Sequence, residues 1–218
     1  MQVILFDSDG VLVDTEQIFF EATRSAFKSA GVDLSASHWA RLYLGEGKRS
    51  HEIAHLYGIP PAQIQTVIAN RNALFWQRID AGVPVLPGVR AALQQLARRF
   101  RLAVVTGASR SHFDRVHSST RLTGLFKAII TSDDYEHAKP HPQSYLTAMD
   151  RLTATPEECL AVEDSPRGAR AALAAGLSCV IIPTLLTDMT LCPDNCMILP
   201  DMMSLVQTIN NIKKNFCV

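Results

Sequence analysis

Five short apolar runs, spaced along the chain, constrain this sequence more than any other feature. They are V-I-L-F (Val3–Phe6), R-L-A-V-V-T (Arg101–Thr106), F-K-A-I-I-T (Phe126–Thr131), C-L-A-V-E (Cys159–Glu163) and S-C-V-I-I-P (Ser178–Pro183). Each is too short for a stable helix and rich in branched side chains, so each reads as a buried strand. Helical candidates fall between the later runs, near 88–99, 110–118, 142–152 and 166–175. Strands that alternate with helices pair in parallel, with both sheet faces covered. The expected class is α/β. The helix after Asp164 is the best marked, with Ser165 to cap it, Pro166 at its first position and Gly176 at its end.

Residues 15–82 break this rhythm. Ile18, Phe19, Ala22, Ala26 and Phe27 recur near the helical period, as do Ile64, Val67, Ile68, Leu74 and Phe75, and no strand interrupts them. This stretch reads as an all-α insertion between the first strand and the rest. Asp14–Thr15 mark the departure, and Gly82, Pro84 and Pro87 the return. The expected organisation is a parallel-sheet core from 1–14 and 83–218, with an inserted all-α helical domain at 15–82. A chain of 218 residues can bury one such core and a smaller lobe.

Composition narrows the function. Lys+Arg and Asp+Glu both total 21, so no long-range field attracts a nucleic acid or an anionic membrane. No apolar stretch reaches the roughly 18 residues that a membrane helix needs. Cys159, Cys179, Cys192, Cys196 and Cys217 are scattered and odd in number, which fits free thiols in a reducing compartment. Cys192 and Cys196 have the look of half a metal site, but no second pair follows at zinc spacing. With its first strand starting at Val3, the chain leaves no room for a signal peptide. The expectation is a cytoplasmic protein with no nucleic-acid or membrane partner.

The polar residues at the strand ends carry the chemistry. Asp7 closes the first run, with Asp9 two residues on and Gly10 to turn the backbone. Paired carboxylates at a buried strand end repel each other and lose hydration, unless a metal ion or substrate uses them. Thr106, followed by Gly107 and Ala108, ends the second run; Glu163 and Asp164 end the fourth; Lys139 lies in the loop after the third. In an open parallel sheet, ligands bind outside the carboxyl ends of the strands, so all four segments address one edge.

Two acids, a hydroxyl and an ammonium suit phosphoryl transfer. Asp7 would attack phosphorus, and Asp9 would protonate the leaving oxygen and then deprotonate water. Thr106 and the backbone around Gly107 and Ala108 would hold the phosphoryl oxygens, and Lys139 would add compact positive charge. Mg²⁺, which prefers oxygen ligands and retains water, would take the Asp7 and Asp164 carboxylates and the Asp9 carbonyl. Each element alone has a plainer reading. D-x-D occurs in many loops, Thr-Gly is usually a turn, a lone lysine is usually solvated, and acids at a helix start complement its dipole. Their common order and their place at strand ends argue otherwise.

The sequence resembles the haloacid dehalogenase-superfamily hydrolases, in the subgroup with β-phosphoglucomutase and small sugar-phosphate phosphatases. F-D-S-D-G-V-L-V-D-T-E, V-V-T-G-A-S, A-K-P-H-P and V-E-D-S-P-R-G-A-R-A-A match the four family motifs in order and span nearly the whole chain. The resemblance implies a Rossmann-like core with a mobile helical cap. It also implies Asp7 as nucleophile, Asp9 as general acid/base and Asp164 as a magnesium ligand. Glu163 would be a further ligand or a partner behind the ligands, and the protein a monomer acting on a small phosphorylated metabolite. The chain departs from the family at Ser8, where an apolar residue is usual, and at Gln143, where Asp is frequent.

Within that resemblance, Asp9 argues against dehalogenase and phosphonatase chemistry, both of which lack it. The mutase type carries a histidine where this chain has Phe19, which favours hydrolysis of a sugar or polyol phosphate over isomerisation. Receiver domains combine similar groups in another order and have no place for the insertion. Specificity is expected in the cap, at Leu44–Ser50, where Lys48 and Arg49 can reach a second anionic or polyhydroxyl group. A solvated turn is the plainer alternative there. Trp39, Tyr43 and Trp76 are core residues or stacking platforms. Ser109, Arg110 and His112 border the pocket or open a helix, and His38, His51 and His55 show no ligand spacing.

Overall fold

A computed structural model describes residues 1–214, so Cys217 lies outside the described residues. Its centre is a six-stranded sheet, every neighbouring pair of which runs parallel. The strands are β1 (Val3–Phe6), β2 (Arg101–Val105), β3 (Ala128–Ile130), β4 (Cys159–Glu163), β5 (Ser178–Ile181) and β6 (Met197–Ile198), in the order β3-β2-β1-β4-β5-β6. Strand β1 therefore sits between β2 and β4, both distant from it in sequence. All four of its residues are buried, as an apolar strand covered on both faces must be.

Alternate residues of β1 serve opposite faces. Val3 and Leu5 join a core with α7 (Gln143–Leu152) and α8 (Pro166–Ala174), while Ile4 and Phe6 face α5 (Val89–Leu96), α6 (Arg110–His117) and α9 (Met202–Lys214). The caps of α8 are those expected: the Ser165 hydroxyl accepts from the Gly168 N–H at 3.1 Å, Pro166 opens the helix, and Gly176 follows it at φ +82°. The third strand is shorter than its apolar run, and the fifth stops at Ile181. Thr106 lies one residue past β2. No signal marked β6, two exposed residues at the sheet edge, or α9.

Between β1 and β2 the chain is helical. It forms α1 (Thr15–Ser29), α2 (Ala36–Trp39), a π-helical segment (Ala40–Gly45), α3 (Ser50–Leu56) and α4 (Pro61–Asp80) before α5. Phe20, Phe27, Leu34, Trp39, Ile53 and Val67 build a separate hydrophobic core there. A second group, including Val13, Phe75, Ile79 and Val116, joins these helices to the sheet layer. The Arg115 guanidinium of α6 grips the Asp80 carboxylate of α4 through two bonds, at 2.9 and 2.6 Å.

The segment after β5 crosses to the helical lobe. Leu186 is 2% exposed within that lobe's core, while its neighbour Leu185 is 97% exposed. The Thr187 hydroxyl donates to the Asp164 carbonyl at 2.7 Å. Arg170 on α8 donates to the carbonyls of Leu191 and Gly45, at 3.0 and 2.6 Å. One strap thus ties the helical core to the strand end that carries Asp164. Leu186→Ala will destabilise the protein by about 2–5 kcal/mol and Leu185→Ala by less than about 0.5 kcal/mol. Urea denaturation of both variants measures this, and equal midpoints would refute the strap.

Candidate active site

The carboxyl ends of β1, β2 and β4 bring together what the strand-end residues foreshadow. The Asp7 backbone N–H donates to the Val162 carbonyl at 2.9 Å, which registers β1 beside β4. The chain then turns at Gly10, whose φ is +81° and whose hydrogen faces the Asp164 carboxylate so closely that a Cβ would collide with it. Glycine is needed there on both counts. Gly168 plays the same part for Glu163, the carboxylate of which lies against the α8 backbone.

Lys139 is only 7% exposed in its side chain, contrary to the usual solvated lysine. Its ammonium donates to Asp7 Oδ1 at 2.8 Å, Glu163 Oε1 at 2.6 Å and the Val105 carbonyl at 2.9 Å. The Tyr145 hydroxyl donates to the same Glu163 oxygen at 2.6 Å. Gln143 accepts at Oε1 from the N–H groups of Glu136 and His137, at 3.2 and 2.8 Å, and so shapes the loop carrying Lys139. Its amide oxygen can thus do the accepting that a carboxylate would do at that position.

Asp9 is held by hydroxyls. Thr15 donates to its Oδ1 in a short hydrogen bond, and Thr106 donates to its Oδ2 at 3.2 Å. Thr106 is fully buried, and its hydroxyl also accepts from the Ala108 N–H at 3.1 Å. In this structure the first partner of Thr106 is therefore Asp9, a task the sequence reading did not assign to it. Gly107 and Ala108 line the cavity beside it.

The electrostatics are unbalanced. Asp7, Glu163 and Asp164 each place one carboxylate oxygen within 4.8 Å of the others, against one ammonium. Burial pushes the Asp7 carboxyl up to about 7, Lys139 resists, and Glu163 and Asp9 add to the rise. Burial also drives Asp164 well above the ordinary range, reinforced by Asp7. Burial opposes the charge on Lys139, yet the facing Asp7 and Glu163 carboxylates outweigh it and raise its pKa. Asp164 Oδ2 and Glu163 Oε2 are buried with no hydrogen-bond partner. Excess negative charge, all-oxygen donors and an unpartnered Asp164 oxygen fit a hard divalent cation. Among the described residues no other carboxylate, imidazole or thiol group forms such a cluster, and Cys192 and Cys196 are free thiols packed against the sheet core.

These groups floor a cavity of about 620 Å³ between the sheet edge and the helical lobe. Lys48 and Arg49 border it, as do Tyr43, Trp76, Ser109 and His112. Trp39 does not; it is fully buried and stacks on Tyr43 at 4.2 Å. Arg110 turns to Asp114, His38 bonds to Tyr57, and His51 and His55 line a separate groove. Three charged lining residues escaped the sequence reading: Glu16, Arg71 and Arg167. Burial and the nearby Asp9 push Glu16 up to about 8. Arg71 donates to the Ser50 hydroxyl at 2.8 Å and covers the Phe19 ring at 4.4 Å. A signal for Arg71 existed: it stands four residues after Val67 and four before Phe75, a charge on the apolar stripe of α4. Glu16 and Arg167 sit in first helical turns, where polar residues are routine.

The chain is also similar to known proteins. Residues 4–182 match the family model described as haloacid dehalogenase-like hydrolase. Protein CbbY, plasmid, of Cupriavidus necator is 30% identical over 203 residues, covering 84% of this chain and 79% of its own. Hexitol phosphatase B of Escherichia coli is 30% identical over 188 residues, with 82% of each chain covered. A mutant CbbY from Rhodobacter sphaeroides, crystallised with xylulose-(1,5)bisphosphate, superposes with a TM-score of 0.75 at 26% identity, covering 93% of this chain and 95% of that one.

The raised carboxyl groups set the sign of a pH effect. Asp7 and Glu16 hold protons more tightly folded than unfolded, so their contribution to stability is complete below about pH 4 and is lost as pH rises towards 7–8. A divalent cation must displace such protons. The rise in melting temperature caused by Mg²⁺, measured against EDTA, will therefore be small near pH 5 and grow up to about pH 8. A rise independent of pH would refute the cluster as the cation site.

Proposed function

Because the chain belongs to the haloacid dehalogenase-like hydrolase family, we propose that it is a Mg²⁺-dependent phosphatase acting on a phosphorylated carbohydrate through an aspartyl phosphate on Asp7. The observation that carries this reading is the single ammonium of Lys139, shared between Asp7 and Glu163 beside the unpartnered Asp164 oxygen. A carboxylate can attack a phosphate dianion only where positive charge offsets their repulsion.

Asp7 uses the oxygen that Lys139 does not hold to attack phosphorus, and the bond to the leaving oxygen breaks. Asp9, oriented by Thr15 and Thr106, gives that oxygen a proton and then takes one from the water that hydrolyses the aspartyl phosphate. Asp7, Asp164 and the Asp9 carbonyl, with Glu163 close behind, would hold Mg²⁺, which would supply charge neutralisation. The Gly107–Ala108 backbone borders the phosphoryl group. The helical lobe at 15–82 acts as a cap that excludes bulk water while the group is transferred.

The carbohydrate assignment draws on the relatives, a hexitol phosphatase and a CbbY holding a sugar bisphosphate. The cavity agrees with it, with Lys48, Arg49 and Arg71 facing the cap side. Phe19, packed on Phe75 and Tyr43, offers no ring nitrogen to restrain Asp9, which favours hydrolysis over a mutase reaction. The setting is a cytoplasmic monomer meeting a small metabolite.

Phosphate release from a panel of sugar, polyol and nucleoside phosphates, with and without Mg²⁺, tests the reading. The expected result is metal-dependent release from one sugar or polyol phosphate. Isomerisation of a hexose 1-phosphate without release would overturn it. Asp7→Asn will lower kcat by at least about a thousandfold with an unchanged melting temperature. Appreciable residual turnover would remove Asp7 as nucleophile.

A further inference from the structure

Ser8 lies between the two motif carboxylates, and its side chain alternates to the opposite sheet face from Asp7. There it meets α6. The Ser8 hydroxyl and His117 Nε2 are 2.9 Å apart, and His117 Nδ1 is 3.1 Å from the Thr120 hydroxyl. Ser8 is 1% exposed, His117 3% and Thr120 2%. The Thr120 hydroxyl donates to the His117 carbonyl at 3.1 Å. Its oxygen is then the acceptor for Nδ1–H, Nε2 is the ring's lone-pair acceptor, and Ser8 donates to it. Burial holds the imidazole pKa below its ordinary value, and the nearby Asp9 and Asp114 oppose that shift. Phe113, one helical turn before, packs against the ring at 4.3 Å with the two planes tilted by 30°.

We propose that His117 is a positioning residue for the phosphatase reaction: through Ser8 it fixes the rotation of the peptide that carries Asp7 and Asp9. The inference rests on the phosphatase reading above. A buried hydroxyl–imidazole pair adds little net stability over two apolar side chains, because its hydrogen bond mainly replaces those lost to water. It differs from an apolar contact in being directional. The Ser8 carbonyl accepts from Leu12 at 2.8 Å, which fixes the outgoing turn, and the hydroxyl bond fixes the same residue from the other face. The two carboxylates belong to the residues on either side of it, and attack on phosphorus tolerates little misalignment. Helix α6 also begins just after the Gly107–Ala108 backbone, so one helix references the phosphate cradle and the acid pair to each other.

The experiment compares Ser8→Ala, His117→Leu, the double variant Ser8→Ala/His117→Leu, and His117→Gln, whose amide can reach the place of Nε2. Rates are taken with the best substrate of the panel and with p-nitrophenyl phosphate, alongside melting temperatures. Ser8→Ala and His117→Leu are each expected to lose tenfold or more in kcat with KM within about twofold. The double variant should recover the melting temperature lost by His117→Leu without recovering the rate, and His117→Gln should keep most of the rate. A merely structural pair behaves otherwise: the double variant regains wild-type kcat, or Ser8→Ala never loses it, and either result overturns the proposal. If the wild-type protein releases phosphate from neither type of substrate, the phosphatase reading itself fails and the positioning role falls with it.

Discussion

The buried ammonium of Lys139 is the contact on which the site is organised. Three carboxylates converge where the strand ends meet, and each loses several kcal/mol of hydration on leaving water. One cation inside the cluster offsets part of that cost and leaves a deficit of positive charge. The protein carries this imbalance because the surrounding framework is rigid: β1 is paired on both sides, Gly10 and Gly168 let the backbone approach the carboxylates, and Tyr145 holds Glu163 from behind. A site so charged is poor as a stabilising feature and well suited to receive a divalent cation with a phosphate.

The helical lobe is tied to this framework at several distinct points. Arg115 grips Asp80 on one side, and on the other the strap after β5 places Leu186 in the lobe's core while Thr187 holds the Asp164 carbonyl. Between them, Phe75 and Trp76 pack on His112 at 5.5 and 4.8 Å. The lobe and the strand end bearing Asp164 thereby share structural parts.

What could be read in the sequence was whatever local pattern determines. Short branched runs mark strands because a doubly covered strand must be apolar throughout, and the residue after each run points to the ligand edge. Asp7, Lys139 and Asp164 were legible for that reason. Arg71 left only a charge on an apolar stripe and Glu16 left no mark, because their importance comes from which face of a helix meets the sheet edge, a tertiary fact. Thr106 was placed correctly, but its bond to Asp9 depends on the relative height of β1 and β2. The strap was invisible as well: Leu185 and Leu186 are identical neighbours, and only the path of the chain makes one exposed and the other core. Edge strand β6 is too short to carry any periodicity.

The strand order has a consequence in time. Asp7 and Asp9 lie on the first strand to be synthesised, yet Lys139 follows Asp7 by 132 residues, and β4 comes later still. At roughly 5–20 residues per second, the acid pair leaves the ribosome on the order of ten seconds before its counter-charge exists. Through the early part of that interval β1 has no sheet neighbour: β2 emerges only after the helical segment that follows β1, and β4 only after Lys139. The insertion, whose contacts are local, can thus fold while the acid pair beyond the end of β1 waits in water. Strand β2 then pairs with β1, and β4, arriving after Lys139, closes the sheet around the acids.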